Sequence, residues 1–198
     1  RLGRVLASRL PDVAEVHGLL ALMEIQASRL AARVDASGQP VLLLDQDRTR
    51  WDRLLIRRGL AALAHAEGLP GPFGPYTLQA AIAACHARAA VAADTDWSRI
   101  TAFYDALVQV APSPVVALNR AVAVGMAFGP AAGLELVEAL TTESALKTYH
   151  LLPAVRGDLL AKLDRIEEAR AEFARAAQLA QNARERDLLL ARAAKTGK

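Results

Sequence analysis

An all-α fold is predicted by three properties of the chain. Alanine and leucine dominate its 198 residues while aromatics contribute only 5%, a balance that suits helices better than strands, which favour branched and aromatic side chains. Apolar residues recur at alternating steps of three and four, the period of one helix face. From residue 76 onward the segments between breakers are short and paired. Together these predict a helical bundle leading into a short right-handed superhelix of helix pairs.

The elements follow in order. Leu2, Val5, Leu6 and Leu10 already keep helical spacing, so the sequence reads as beginning inside or just before a helix of a longer protein. Pro11 suits a first helical turn, and Val13, Val16, Leu20, Met23, Ala27, Leu30 and Val34 predict one long helix after it. Asp35 to Pro40 ends that helix with turn chemistry. Val41 to Leu44 is too short to assign by period and is read as an extended segment with its leucines turned inward.

The stretch Leu42 to Asp52, LLLDQDRTRWD, then opens the next helix. Thr49 and Asp52 have the spacing of a capping box, with Asp47 as the competing cap, and the helix runs to about Glu67. Gly68 to Pro75, GLPGPFGP, is the richest breaker stretch and suggests a boundary between an N-terminal part, 1–75, and a C-terminal part, 76–198. Beyond it the pattern predicts helices near 76–92, 97–111, 114–128, 131–140, 149–163, 166–180 and 184–195.

In the last pair Gly157, Ala169, Phe173 and Ala176 stand at relative spacings of 12, 16 and 19 from the glycine, which resembles the small and aromatic positions of a tetratricopeptide repeat. Small residues let two helices approach, and the aromatic fills the gap to the next unit. Ala132, Leu136 and Ala139 repeat this with a period of 37, and Phe103 and Ala106 precede Leu136 and Ala139 by 33. Arg120 and Ala87 replace the glycine, so these repeats are degenerate. The fold expected is therefore a helical bundle joined to a tetratricopeptide-like superhelix, closed by a terminal helix carrying Arg184 to Asp187.

Composition excludes several classes of function. With 53% hydrophobic and 23% charged residues the chain can build a core. A net charge of +3, from 24 basic and 21 acidic residues, is too small a field to argue for nucleic-acid binding. The single Cys85 precludes an internal disulfide, reads as a small core residue and fits a reducing compartment. Charges interrupt every apolar segment before about 18 residues, so no membrane span is expected and a cytoplasmic location is.

Candidate site residues are few. Asp45 with Asp47, and Asp94 with Asp96, are acid pairs two apart that can ligate a divalent cation; the preferred reading is helix capping. His17, His65, His86 and His150 are scattered, without a zinc-ligand spacing, and no phosphate loop or nucleophile motif occurs, so no catalytic residue, metal or cofactor is expected. Arg50, Arg53 and Arg57 fall on one helix face that suits an acidic partner. Trp51 and Trp97 read as core anchors. Glu167 with Arg170, and Glu172 with Arg175, read as helix-supporting pairs. Asn119 and Arg120 interrupt an apolar helix and must find hydrogen bonds or face a groove.

Five motifs in order, LLALM at Leu19, LLLDQDRTRWD at Leu42, GPYTLQAAIAA at Gly74, ADTDW at Ala93 and APSPVVALNRAVAV at Ala111, carry a wider resemblance. The chain resembles the C-terminal extension of extracytoplasmic-function sigma factors with tetratricopeptide-like repeats, over essentially its whole length. The resemblance implies a bacterial transcription initiation factor whose sigma regions precede this chain. It implies a non-catalytic regulatory domain that contacts those sigma regions, core RNA polymerase or a signalling protein, without direct DNA or membrane contact. The motif falls on Asp45, Gln46, Asp47, Arg48, Arg50, Trp51, Asp52, Asp94, Asp96, Trp97, Asn119 and Arg120, which with Arg57 are the interface or structural candidates. The alternatives are an independent peptide-binding scaffold and a divalent-metal-dependent enzyme built on the Asp-x-Asp pairs.

Overall fold

The computed structural model describes residues 2–196, and among them every named element is helical, with one isolated bridge between Val34 and Pro40. Pro11 and Asp12 separate α1, Leu2–Arg9, from α2, Ala14–Ser28. α2 is shorter than its apolar period suggests. The Ser28 hydroxyl donates back to the Ile25 carbonyl at 2.7 Å, and the chain tightens into a 3-10 turn at Leu30–Ala32. Val41 to Leu44 is extended only in part: Leu42 is extended, but Leu43–Asp45 is a 3-10 turn, and Leu42 and Leu44 are exposed while Leu43 packs against the core.

α3, Arg53–Gly68, α4, Pro75–Arg88, and α5, Trp97–Val110, complete one compact unit, Arg1–Ala111. α2 packs on α3 and α4, and α4 on α5, around Ala21, Ile25, Trp51, Ile56, Leu63 and the alanines of α4. Those alanines explain the helix order, because ten of the fourteen residues of α4 are buried and only small side chains let neighbours close on several sides. The N-terminus of α4 has a remote cap. Glu15, in the first turn of α2, accepts from the Tyr76 and Thr77 backbone N–H groups at 2.8 and 3.0 Å and from the Thr77 hydroxyl at 2.6 Å.

The second unit is Pro112–Lys198. It contains α6, Pro114–Phe128, α7, Pro130–Leu140, α8, Leu151–Lys162, α9, Ile166–Leu179, and α10, Ala183–Lys195, each packed on the next. Leu118, Val137, Leu146, Leu160 and Phe173 form its core. The expected repeat chemistry is visible at Gly157, where a Cβ would stand 2.9 Å from Phe173 Cε1, while Ala169 and Ala176 are fully buried. α6 and α7 approach still more closely: a Cβ on Gly133 would lie 2.7 Å from the Gly125 Cα. The degenerate alignment does not reveal that contact.

The compact units divide between Ala111 and Pro112, not after residue 75. Gly68 to Pro75 turns the chain between α3 and α4 inside the first unit, where α4 lies on α2. Residues 1, 197 and 198 of the expected parts lie outside the described residues. Glu172, expected to support its own helix through Arg175, instead accepts from Arg156 of α8 at 2.7 Å, while the Glu167–Arg170 pair forms at 3.1 Å.

Candidate functional site

Two of the three acids of LLLDQDRTRWD, Asp47 and Asp52, cap two successive turns. Asp47 accepts from the Thr49 N–H at 2.9 Å and the Thr49 hydroxyl at 2.6 Å, capping a 3-10 turn at Arg48–Arg50. The Thr49 hydroxyl bond holds the Asp47 carboxyl below its ordinary value, with the Thr49 backbone next. Trp51 is extended, and Asp52 caps α3 by accepting from Leu54 and Leu55 N–H groups at 2.9 and 3.0 Å. The expected Thr49–Asp52 capping box therefore does not form, because the two residues serve different turns. Asp96 caps α5 through the Arg99 N–H at 2.9 Å.

Arg48 reaches the farthest. It is 6% exposed, and its Nη1 donates to the carbonyls of His86 and Ala89 at 2.6 and 2.8 Å, while Nη2 donates to Thr95 Oγ1 at 3.2 Å. Those carbonyls close α4, whose last turn lacks intrahelical partners and carries the negative end of the helix dipole. One guanidinium thus caps α4 from 38 residues away and ties it to the turn before α5. Its guanidinium carbon lies over the Trp51 ring, 5.0 Å from the ring centre. Burial lowers the Arg48 proton affinity, and the field of Asp94 opposes that shift.

The same motif also grips the end of α2. The Asp52 N–H donates to the Ser28 carbonyl at 2.9 Å, and Arg50 donates to the carbonyls of Ala31 and Val34. Arg50 therefore does not share a face with Arg53 and Arg57. Those two lie exposed on α3, whereas Arg50 belongs to the preceding turn. Gln46 donates to the Val41 carbonyl at 3.2 Å, and Asp45 and Asp94 are exposed. Trp51 is a core residue, 3% exposed; Trp97 is half-buried and meets the His86 ring edge-on at 5.2 Å. On α6, Asn119 is exposed and Arg120 half-buried. Among the described residues, no three His, Cys, Asp or Glu side chains are grouped to hold a metal ion, and no helix is long and apolar enough to cross a membrane.

Sequence reasoning missed Arg29 and the role of His86. Arg29 lies 5.8 Å from the Trp51 ring centre, and its guanidinium is held down to about 10 by burial and by Arg33 and Arg48. His86 is pushed down to about 4 from 6.5, first by burial and then by the Arg29 and Arg48 charges. The unfolded chain therefore binds more protons between those values. The contribution of neutral His86 to stability is complete above pH 6.5 and lost as pH falls toward 4, on the order of 3 kcal/mol. Urea unfolding read by tryptophan emission will show this loss, and His86→Phe will flatten the slope between those pH values.

Two comparisons place the chain among known sequences. Residues 1–67 match the model of a family of unknown function, DUF6596, a span that includes α1, α2 and the whole of LLLDQDRTRWD. The chain is 49% identical over 185 residues to the uncharacterized protein R00370 of Rhizobium meliloti (strain 1021). That alignment covers 93% of this chain but 43% of the relative, so the chain spans less than half of the relative's length. No solved structure matches.

Proposed function

We propose that this chain is a non-catalytic regulatory and interaction domain of an extracytoplasmic-function sigma factor. On this reading it works in the cytoplasm by holding the sigma regions of the same protein and, with them, core RNA polymerase. The observation that carries the reading is the surface of α1. Ala7 alone of this helix is buried, while Leu2, Val5 and Leu6, with Leu10 and Val13 just beyond, are 84, 52, 41, 42 and 42% exposed. Apolar side chains recurring on a helix suit a docking face, and among the described residues of its own unit this one is left exposed. The five ordered motifs support the sigma regions as the cover, and the relative is long enough to hold them, since the alignment covers 43% of it.

The acids of the two Asp-x-Asp pairs favour this reading over metal-dependent catalysis, since Asp47 and Asp96 already hold backbone N–H groups. Charge insertion on α1 tests the proposal. In a protein carrying the sigma regions ahead of this chain, Val5→Glu with Leu6→Glu is expected to weaken their attachment by about tenfold or more and to change promoter-dependent transcription. Unchanged attachment and unchanged transcription would contradict it. A stable third protein retained by the pair regardless of α1 would favour a free-standing scaffold.

A further inference from the structure

Two arginines, Arg29 and Arg48, lie over the Trp51 ring, Arg33 stands close enough to Arg29 to act on its charge, and every acceptor the three use is neutral. Arg29 and Arg33 both donate to Gln26 Oε1, and Arg33 also reaches the Gln26 carbonyl. Arg48 donates to two carbonyls and a hydroxyl. Among the described residues none of the three is ion-paired, so their charge is balanced only at a distance, as by Asp94 on Arg48.

Four nitrogens of this cluster have no hydrogen-bond partner: Arg48 Nε, Arg29 Nε, Trp51 Nε1 and His86 Nδ1. Arg48, Trp51 and His86 are each more than nine-tenths buried. The two guanidinium carbons lie 5.0 and 5.8 Å from the Trp51 ring centre, and Arg48 also holds the His86 carbonyl, so all four residues meet around Trp51 and the end of α4. Buried donors are rarely left unsatisfied, and buried cations more rarely without a counter-charge. A water molecule accepts from two donors and brings no charge; an anion answers both needs.

We propose that this cluster is a binding site for a small inorganic anion of chloride size, received by Arg48 Nε, Arg29 Nε and Trp51 Nε1. The near-complete burial of Arg48 and Trp51 sets the size, since it leaves no opening for a peptide carboxylate or a nucleotide. The inference is independent of the sigma-factor reading. It makes the joint between α2 and α4 sensitive to the anion present.

Both tryptophans lie in the first unit, so their emission reports its unfolding. In the full chain at matched ionic strength, chloride is expected to raise the thermal midpoint by roughly 2–5 °C over gluconate, saturating with concentration. Arg29→Met should lose that difference. An absent chloride effect, an equal effect in the variant, or a variant more stable than the parent in chloride would overturn the proposal. Should Arg29→Met fail to fold, crystals of the unaltered chain soaked in bromide decide it: an anomalous peak is expected within about 3.5 Å of Arg48 Nε and Trp51 Nε1, and its absence rejects the site.

Discussion

Arg48→Met is expected to destabilise the first unit by about 3 kcal/mol, a large share of a domain's total stability. Methionine keeps an unbranched apolar side chain while removing every donor and the guanidinium over the Trp51 ring. The carbonyls of His86 and Ala89 then end α4 without partners, and Thr95 Oγ1 loses its donor. Each buried acceptor left unsatisfied costs about 1–3 kcal/mol, offset in part by no longer burying a cation. Arg48→Lys should recover little, because a single ammonium group cannot reproduce the fork that reaches two carbonyls and a hydroxyl at once. Urea unfolding followed by tryptophan emission checks both substitutions. Losses below about 1 kcal/mol would mean that Arg48 acts as an ordinary surface charge.

Phe173→Ala is expected to cost the second unit about 3–5 kcal/mol. Phe173 is 1% exposed and packs among Leu160, Ala169, Ala176 and Leu189, with Arg192 over its ring at 4.5 Å. The ring also fixes how closely α8 meets α9, since a Cβ on Gly157 would stand 2.9–3.2 Å from three of its carbons. Gly157→Ala is therefore expected to cost about 1–3 kcal/mol through overpacking. Combining it with Phe173→Leu should cost less than the sum, because a smaller, flexible side chain yields the space the methyl needs. Strict additivity in a circular-dichroism unfolding series would show that ring and glycine are not in contact.

Much of the helical content is legible in the sequence because apolar period and breakers agree. The expected helix at 114–128 coincides with α6, whose Ser113 cap and Pro114 start stand next to each other in the chain. Local chemistry misleads where two short turns replace one helix start. Thr49 and Asp52 match a capping box by spacing, with Asp47 as a competing cap, yet the backbone bond from Asp52 to Ser28 and the Arg50 side-chain bond to the Ala31 carbonyl go with a segment divided into a 3-10 turn and a separate helix. Leu42 and Leu44 look like core residues for the same reason, and the turn at Leu43–Asp45 exposes both.

The candidate site was half legible. LLLDQDRTRWD is a joint, as its crowded acids and arginines suggest, and Trp51 is its buried anchor. Its partners are not visible in sequence, because Arg48 spends its charge on backbone carbonyls 38 and 41 residues away, which any residue types would supply. Glu15 on the start of α4 is hidden in the same way, across 61 residues. Side chains that cap remote helices leave no local spacing to detect.

The proposed role turns on whether α1 is a docking face for the sigma regions. Hydrogen exchange of this chain alone, compared with a protein in which the sigma regions precede it, measures that directly. Amides of Leu2–Arg9 and of the α1–α2 connection are expected to exchange at least about tenfold more slowly in the longer protein, with α6 to α10 little changed. Equal exchange of α1 in the two proteins would contradict it.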